Sequence, residues 1–492
     1  MEMPRNGEHA HHTITVHEEQ EWASMVREKL ELSFKKHHKL SKTPYPLPKV
    51  PPNIRKGDPQ AYEPRSASIG PYHATKDSTL AMVDPKWQCV SSLLAMHPHC
   101  NINECLHEML SLTKRLRACY NDDDVDWFTD TSLAQMMLID GYFIISLLLT
   151  HAGYMRRHGK HNIWTSDEIK YDLLVLENQT PFFVLVALFD ELRITDPPYR
   201  DLCRLAIHFF DLHPRPAQRA LIKPDQVQHL LHLFHMSLTN TGGDCMITSR
   251  RDREHDHGEG AFQSGYRFDN VLGFIFSLLC CCFNFGPSSD DESAPKSVPC
   301  ATELEESGVK FKKKLTEGNG SFLGVTFRDG SMEVPPLHVY DYSNSVFRNL
   351  IAFEQCTINT TNNGGTPVTD YAMLMDSLVD TAQDVAILHR SGIIVHGLGS
   401  DKEVARLFNR LCNEVCHRES SSVPSMYGGL YVGVEKYCSS DWHRWWAGLK
   451  LKYFNSPWAV VSLVAAIVLL VLTLVQTYYS VLGYYNDNGS KN

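Results

Sequence analysis

Apolar and polar positions recur along this chain with more than one period, and the changes of period mark its organisation. Residues 15–39 put Trp22, Met25, Val26 and Leu30 on one helical face, with Thr15 and Glu18 at capping-box spacing. That stripe predicts a first amphipathic helix packed on a core. Helical spacing returns at 86–96, 102–120, 131–151, 167–193, 199–213 and 225–238. Two of these segments are apolar on nearly every face. Residues 133–149 (LAQMMLIDGYFIISLLL) are long enough to be mistaken for a membrane span, but Gln135, Asp140 and Gly141 suit a protein interior, because a carboxylate at mid-bilayer is costly. Residues 173–189 (LLVLENQTPFFVLVALF) carry Pro181, which kinks the helix or begins a new one just after Glu177, Asn178 and Gln179.

The period shortens to two after residue 301. Leu323, Val325 and Phe327 alternate with smaller or polar residues, Asp329-Gly330 is a turn dipeptide, and Met332 and Val334 resume the alternation. This predicts a β-hairpin. Helices follow at 344–356, 368–391 and 401–417, with 362–367 (NNGGTP) as a loop. The longest apolar run comes last. Residues 453–486 hold no charged side chain, and 458–479 read WAVVSLVAAIVLLVLTLVQTYY. At about 1.5 Å per residue this core covers about 30 Å, the thickness of bilayer hydrocarbon. Trp458, Tyr478 and Tyr479 stand where aromatic rings favour headgroups. A single C-terminal membrane helix is expected, and Trp442, Trp445, Trp446, Leu449 and Phe454 suit an interfacial helix leading into it.

Two stretches break the helical texture. Residues 43–71 contain eight prolines, which fix φ and remove backbone donors, so an extended segment is expected across the surface of the body, anchored by Tyr62, Ile69 and Tyr72. Residues 241–270 and 286–300 are polar and rich in Gly, Ser, Asp and His, and read as a mobile insertion. Between them, 271–285 is apolar and ends in Cys280-Cys281-Cys282; it reads as a core or interfacial helix, with palmitoylation of the triplet as a minor alternative. The resulting division is 1–45 (helix and polar lead), 46–240 (first part of the body), 241–300 (variable insertion), 301–452 (second part, hairpin plus helices), 453–480 (membrane helix) and 481–492 (tail). The fold class expected is mainly α, with a small β-hairpin region and one transmembrane helix.

Composition narrows the function. A length of 492 residues allows two or three globular units, and a net charge of −10 argues against a general nucleic-acid binder. The basic run 310–314 (KFKKK) reads as a solvated face. Residues 1–40 lack the apolar stretch of a secretory signal. Arg444, Lys450 and Lys452 precede the last apolar segment and Lys491 alone follows it, so the positive-inside bias places the body in the cytoplasm. The 14 cysteines show no regular framework and fit reduced thiols on that side. The opposite topology would make Asn319 and Asn359 glycan acceptors, and the expected one leaves that to Asn488.

Nucleotide, nucleophile-elbow and zinc-protease motifs are absent from the sequence. Three constellations remain. Asp140 and Glu177 each fall in an apolar segment read as helix, and two buried carboxylates can form a general acid/base pair. The plainer reading gives each a set of hydrogen bonds that locks helix orientation. His97, His99, Cys100, Cys105 and His107 offer zinc-type ligands within 11 residues but no second, separated half, and surface histidines are the plainer reading. Residues 350–356 (LIAFEQC) echo 174–179 (LVLENQ), which suggests two helices burying matching polar groups in one core. No cofactor, metal or catalytic residue is assigned.

Residues 50–73 (VPPNIRKGDPQAYEPRSASIGPYH), 137–148 (MLIDGYFIISLL), 173–183 (LLVLENQTPFF), 346–356 (VFRNLIAFEQC) and 453–479 together resemble the plant family called domain of unknown function 247. The resemblance spans about 46–480, with its departures mainly in 241–300. It implies a plant protein with a helical body and a C-terminal membrane helix, and it brings no catalytic residues. Some grass members are associated with self-incompatibility loci as pollen-side determinants, which implies a recognition role; a determinant that touches another cell would need its body outside, against the flanking charges. The expectation is a tail-anchored, single-pass protein of the plasma membrane with a cytoplasmic body, acting non-catalytically in recognition or signalling. Its partners would be the bilayer and a protein. The alternatives are a membrane-tethered hydrolase using Asp140 and Glu177, or a structural scaffold.

Overall fold

A computed structural model describes residues 24–31, 47–74, 82–120, 122–155, 167–210, 222–239, 297–314, 321–357, 365–413, 425–439 and the helix at 457–489. The fold is mainly helical with two small sheets. The chain divides into two compact units: Met1–Val50 with Tyr62–Phe210 and Ile222–Phe234, and Pro51–Ala61 with Asp211–Leu221 and His235–Asn492.

The first unit is built on one apolar helix. Its helices are α1 (Val83–Met96), α2 (Ile102–Ser111), α3 (Thr113–Cys119), α4 (Asp130–His151), α5 (Phe182–Glu191), α6 (Leu202–Phe209) and the start of α7 (Leu230–Thr239). Helices α1, α2, α5 and α6 all pack on α4. Burial on every side explains why α4 shows no polar face, as a core helix should. Among the described residues α4 alone is long and apolar enough to cross a membrane, and 78% of its apolar window is buried in protein. The interior assignment drawn from Gln135, Asp140 and Gly141 therefore holds.

Pro181 acts as the sequence suggests, as the N-cap of a new helix at Phe182. The helix expected over 167–193 is nevertheless interrupted, because only Asp167–Asp172 and Phe182–Glu191 are helical. A proline disfavours helical backbone in the residue before it, so 173–181 becomes an irregular link. The proline-rich segment also differs from expectation. It holds a short helix, Pro52–Gly57, and a 3-10 turn, Pro59–Tyr62, and much of 61–73 is buried and not laid over the surface. Tyr62 and Ile69 are buried anchors, while Tyr72 is half-buried. In the described part of the first helix, 24–31, Met25 and Leu30 are 48% and 60% exposed, so that stripe does not pack as core.

The second unit contains α8 (Ala301–Glu306), α9 (Ser343–Thr357), α10 (Pro367–Leu378), α11 (Ala382–Arg390), α12 (Asp401–Leu411), α13 (Gly428–Cys438) and α14 (Pro457–Gly489). The expected hairpin is present. Strands β2 (Thr326–Arg328) and β3 (Ser331–Val334) pair antiparallel, with Arg328 opposite Ser331. Positive φ at both Asp329 (47°) and Gly330 (70°) is the geometry that twists a two-residue turn to match its strands. A third strand, β1 (Lys310–Lys313), pairs parallel to β3. Its three lysines are exposed, which protects a sheet edge from further pairing. Strands β4 (Leu337–Val339) and β5 (Ile394–His396) form a separate parallel pair. The polar insertion through residue 296, the Cys280–282 triplet, and the aromatic run 442–454 lie outside the described residues.

Candidate functional site

A buried polar cluster in the first unit gathers the sequence-predicted carboxylates. The strap 63–73 lies in neither a helix nor a ladder, so its buried backbone donors need side-chain acceptors. The N–H groups of Arg65, Ser66 and Ala67 all donate to the Asp172 carboxylate, at 2.8, 2.7 and 2.7 Å. Ile69 N–H donates to Asn178 Oδ1 at 2.6 Å, and Gly70 N–H to Asp140 Oδ2 at 2.9 Å. Further back, Val50 N–H donates to Glu177 Oε1 at 2.8 Å. Asn178 closes the arrangement by donating from Nδ2 to the carbonyls of Ala67 and Asp172, both at 2.9 Å.

The irregular link makes this reading of the strap feasible. Freed from a helix, Glu177, Asn178 and Gln179 turn their side chains inward and are all buried. Gln179 Nε2 donates to the carbonyls of Leu173 and Val175, and its Oε1 accepts from Leu231 N–H. Charge is balanced locally. Lys86 Nζ on α1 donates to Asp140 Oδ1 and to Ser68 O, each at 2.5 Å. His73 Nε2 lies 3.9 Å from Glu177 Oε2. Burial pushes the Asp172 carboxyl above its usual range, against the lowering effect of its three amide donors.

Asp140 holds the strap amide of Gly70 and Glu177 the amide of Val50, ahead of the strap, with His73 of the strap beside it; Glu177 is not in a helix as expected. Both Asp140 oxygens are occupied, one by a cation and one by an amide. A general base needs an oxygen open to a reacting proton. This geometry is that of a structural clamp. Lys86 and Asp172 were not singled out by the sequence, where Asp84 lies near the first and Glu168 and Lys170 near the second, so neither stands out as a lone charge.

The His97 group differs from the plain surface reading. His97 is buried, stacks on Tyr154 with ring centroids 5.9 Å apart, and meets His99 edge-on. Burial lowers its pKa, and His99 adds to that. Cys100 and Cys105 lie 3.5 Å apart, and each approaches the Tyr142 hydroxyl, at 3.2 and 3.1 Å. Burial pushes the Cys105 thiol up to about 11, which makes it an unreactive thiol. His107 is exposed on α2. These five side chains do not converge as a ligand set among the described residues, whereas His389, His396 and Asp401 do.

The echo between 174–179 and 350–356 does not mark two helices in one core. Glu354 lies in α9 of the second unit, and Glu177 in the irregular link of the first. What they share is their task. Glu354 accepts from the N–H groups of Val368 and Thr369 at 3.0 and 2.8 Å, capping α10, and from His235 Nε2 at 2.8 Å.

A mainly helical body with two small sheets and an apolar section at Val468–Ser480 is the class these observations define. The chain belongs to the DUF247 family, described as plant protein of unknown function, whose model matches residues 47–472. It is 28% identical over 449 residues to UPF0481 protein At3g47200 of Arabidopsis thaliana, covering 89% of this chain and 87% of that protein. It is 22% identical over 519 residues to putative UPF0481 protein At3g02645 of the same plant, covering 94% of each. No solved structure matches the chain.

Proposed function

We propose that this protein is a membrane-anchored, non-catalytic recognition or signalling component of the plant cell. The observation that carries the reading is the exposure of α14. Val468, Leu469, Leu470, Val471 and Leu472 are 45–65% exposed. Five consecutive helical positions, about 100° apart, sweep the whole circumference, so this turn of α14 is apolar on every side. A helix of that kind in water is unfavourable at roughly 25 cal/mol per Å² of apolar surface. Its described apolar section, Val468–Ser480, has 13 residues, and the sequence continues apolar back to Trp458. The roughly 20 residues that a bilayer requires are reached only by adding the apolar sequence 458–467 to that section.

In this reading the flanking charges hold the body in the cytoplasm, at the plasma membrane, and the tail outside. The polar segment 241–300 is its specificity surface, because variable loops on a fixed scaffold are where recognition resides. The occupied oxygens of Asp140 support a non-catalytic body over a tethered hydrolase. The link of some grass relatives to self-incompatibility suggests the kind of recognition. Alkaline carbonate extraction of native membranes is the test. Retention of the intact chain in the pellet is expected, and its release into the supernatant would remove the anchor. Protease protection of sealed vesicles, with glycan mapping at Asn319, Asn359 and Asn488, then fixes the side; modification at Asn319 or Asn359 would place the body outside the cytoplasm.

A further inference from the structure

Three potential ligands in the second unit come from three successive elements. His389 lies in the last turn of α11, His396 closes β5, and Asp401 opens α12. Their ligating atoms all lie within 4.8 Å of one another. His396 is central. Its Nε2 is 2.8 Å from Asp401 Oδ1, its Nδ1 is 3.3 Å from Leu398 O, and its ring meets that of His389 edge-on at 5.4 Å.

The groups facing the two ring nitrogens of His396 are both acceptors. With Nδ1–H directed at the Leu398 carbonyl, the ring has the backbone tie that orients metal-binding histidines. Without a cation the 2.8 Å contact is Nε2–H donating to Asp401 Oδ1; a cation that replaces this proton takes the Nε2 lone pair and the carboxylate oxygen together. His389 is exposed, while His396 and Asp401 are half-buried. The approach is therefore open, and the exposed imidazole can rotate to complete the set.

We propose that His389, His396 and Asp401 bind a divalent transition metal of the zinc class, tying the end of α11 and the strand β5 to the start of α12. Two imidazoles and one carboxylate suit zinc, cobalt or nickel better than calcium or magnesium, which prefer all-oxygen shells. Three protein ligands leave a fourth position exchangeable, as in zinc sites that take a water or a ligand from another molecule.

The test compares full-length protein in detergent with its variants, because 25 histidines and 14 cysteines supply background binding. Each is equilibrated with buffered zinc, dialysed, and its zinc content measured with the thermal midpoint. His389→Ala removes an exposed side chain and leaves the fold intact; Asp401→Asn is near-isosteric. Wild type is expected to retain one zinc more than either variant, and zinc is expected to raise the midpoint of wild type but of neither of these two variants. Weakening by at least about tenfold is expected on losing a ligand, since even outer-shell losses reach 10–100-fold. His107→Ala, on an unrelated exposed histidine, should behave as wild type. Equal zinc content and equal thermal response in wild type, His389→Ala and Asp401→Asn would overturn the site and leave a plain His–Asp hydrogen bond. Zinc loss in His107→Ala matching that in His389→Ala would overturn it as well.

Discussion

The amide of Gly70 and the carboxylate of Asp140, distant by 70 positions in sequence, meet at 2.9 Å in the interior of the first unit. The second oxygen of Asp140 holds Lys86, so one side chain fixes both the strap and helix α1 to helix α4. Asp140→Asn keeps the shape but leaves a buried ammonium without its counter-charge. Breaking such a pair costs about 3–5 kcal/mol. The first unit is expected to unfold at clearly lower denaturant, and Lys86→Met in the same chain should recover part of the loss. If Asp140→Asn melts like wild type, the clamp is not structural and acid/base chemistry regains its standing.

Gly70 itself cannot be replaced cheaply. Its φ is +72°, and an added Cβ would stand 2.6 Å from Gln179 O. Gly153 supplies an internal control, because its φ is +85° with nothing within 4 Å of the built Cβ. Gly153→Ala should cost only the left-handed backbone penalty of about 1–2 kcal/mol. Gly70→Ala should cost distinctly more, since a backbone carbonyl must also move. Equal midpoints for the two variants in urea unfolding would show that the strap yields without strain.

The helical framework was legible because apolar spacing reports burial directly. The α4 segment, the break at Pro181 and the Asp329-Gly330 turn all follow from local chemistry. Other features depend on partners remote in sequence. Nothing local distinguishes 173–179 as an irregular link, because its inward polar groups make sense only once the strap is beside them. Strand β1 was masked by its lysines, whose exposure marks both an edge strand and an ordinary solvated loop. Strands β4 and β5 have three residues each, too few to show a period. His389, His396 and Asp401 were silent for a related reason: their spacing fits no single helix, and a helix, a strand and a second helix bring them together.

Tyr371 carries a hydroxyl in the core of the second unit without a hydrogen-bond partner among the described residues. The residue is fully buried, and Phe322 meets its ring edge-on at 4.7 Å. Burial raises the hydroxyl's pKa well above the usual phenol range. An unsatisfied buried donor costs about 1–3 kcal/mol. Tyr371→Phe keeps the ring contact and removes that cost, so a gain of about 1 kcal/mol in the urea-derived stability is expected. A loss of similar size would mean that the hydroxyl has a partner in solution.

Asp384 gives the second unit a defined response to acid. It is fully buried, with one oxygen accepting from Thr302 N–H and Oγ1 at 2.8 and 2.7 Å. The other accepts from Thr381 N–H and Oγ1, both at 2.8 Å, closing the capping box of α11. Burial pushes this carboxyl up, but the four donors outweigh it and hold it down at about 2, against an ordinary 3.8. A folded-state pKa below the unfolded one stabilises above the unfolded value and is lost as pH falls through the folded value. The contribution is about 2 kcal/mol, present above pH 3.8 and disappearing towards pH 2. Asp370 in the same unit works in the other direction, because burial raises its carboxyl and the stability tied to its protonated form fades as pH rises through that value. The variant Asp384→Asn isolates the first effect. Its stability deficit in urea should be largest near neutral pH and shrink by about 2 kcal/mol between pH 4 and pH 2, whatever fixed penalty the amide adds by facing backbone donors. A deficit that stays constant across that window would show that the carboxylate is not held ionised by Thr302 and Thr381.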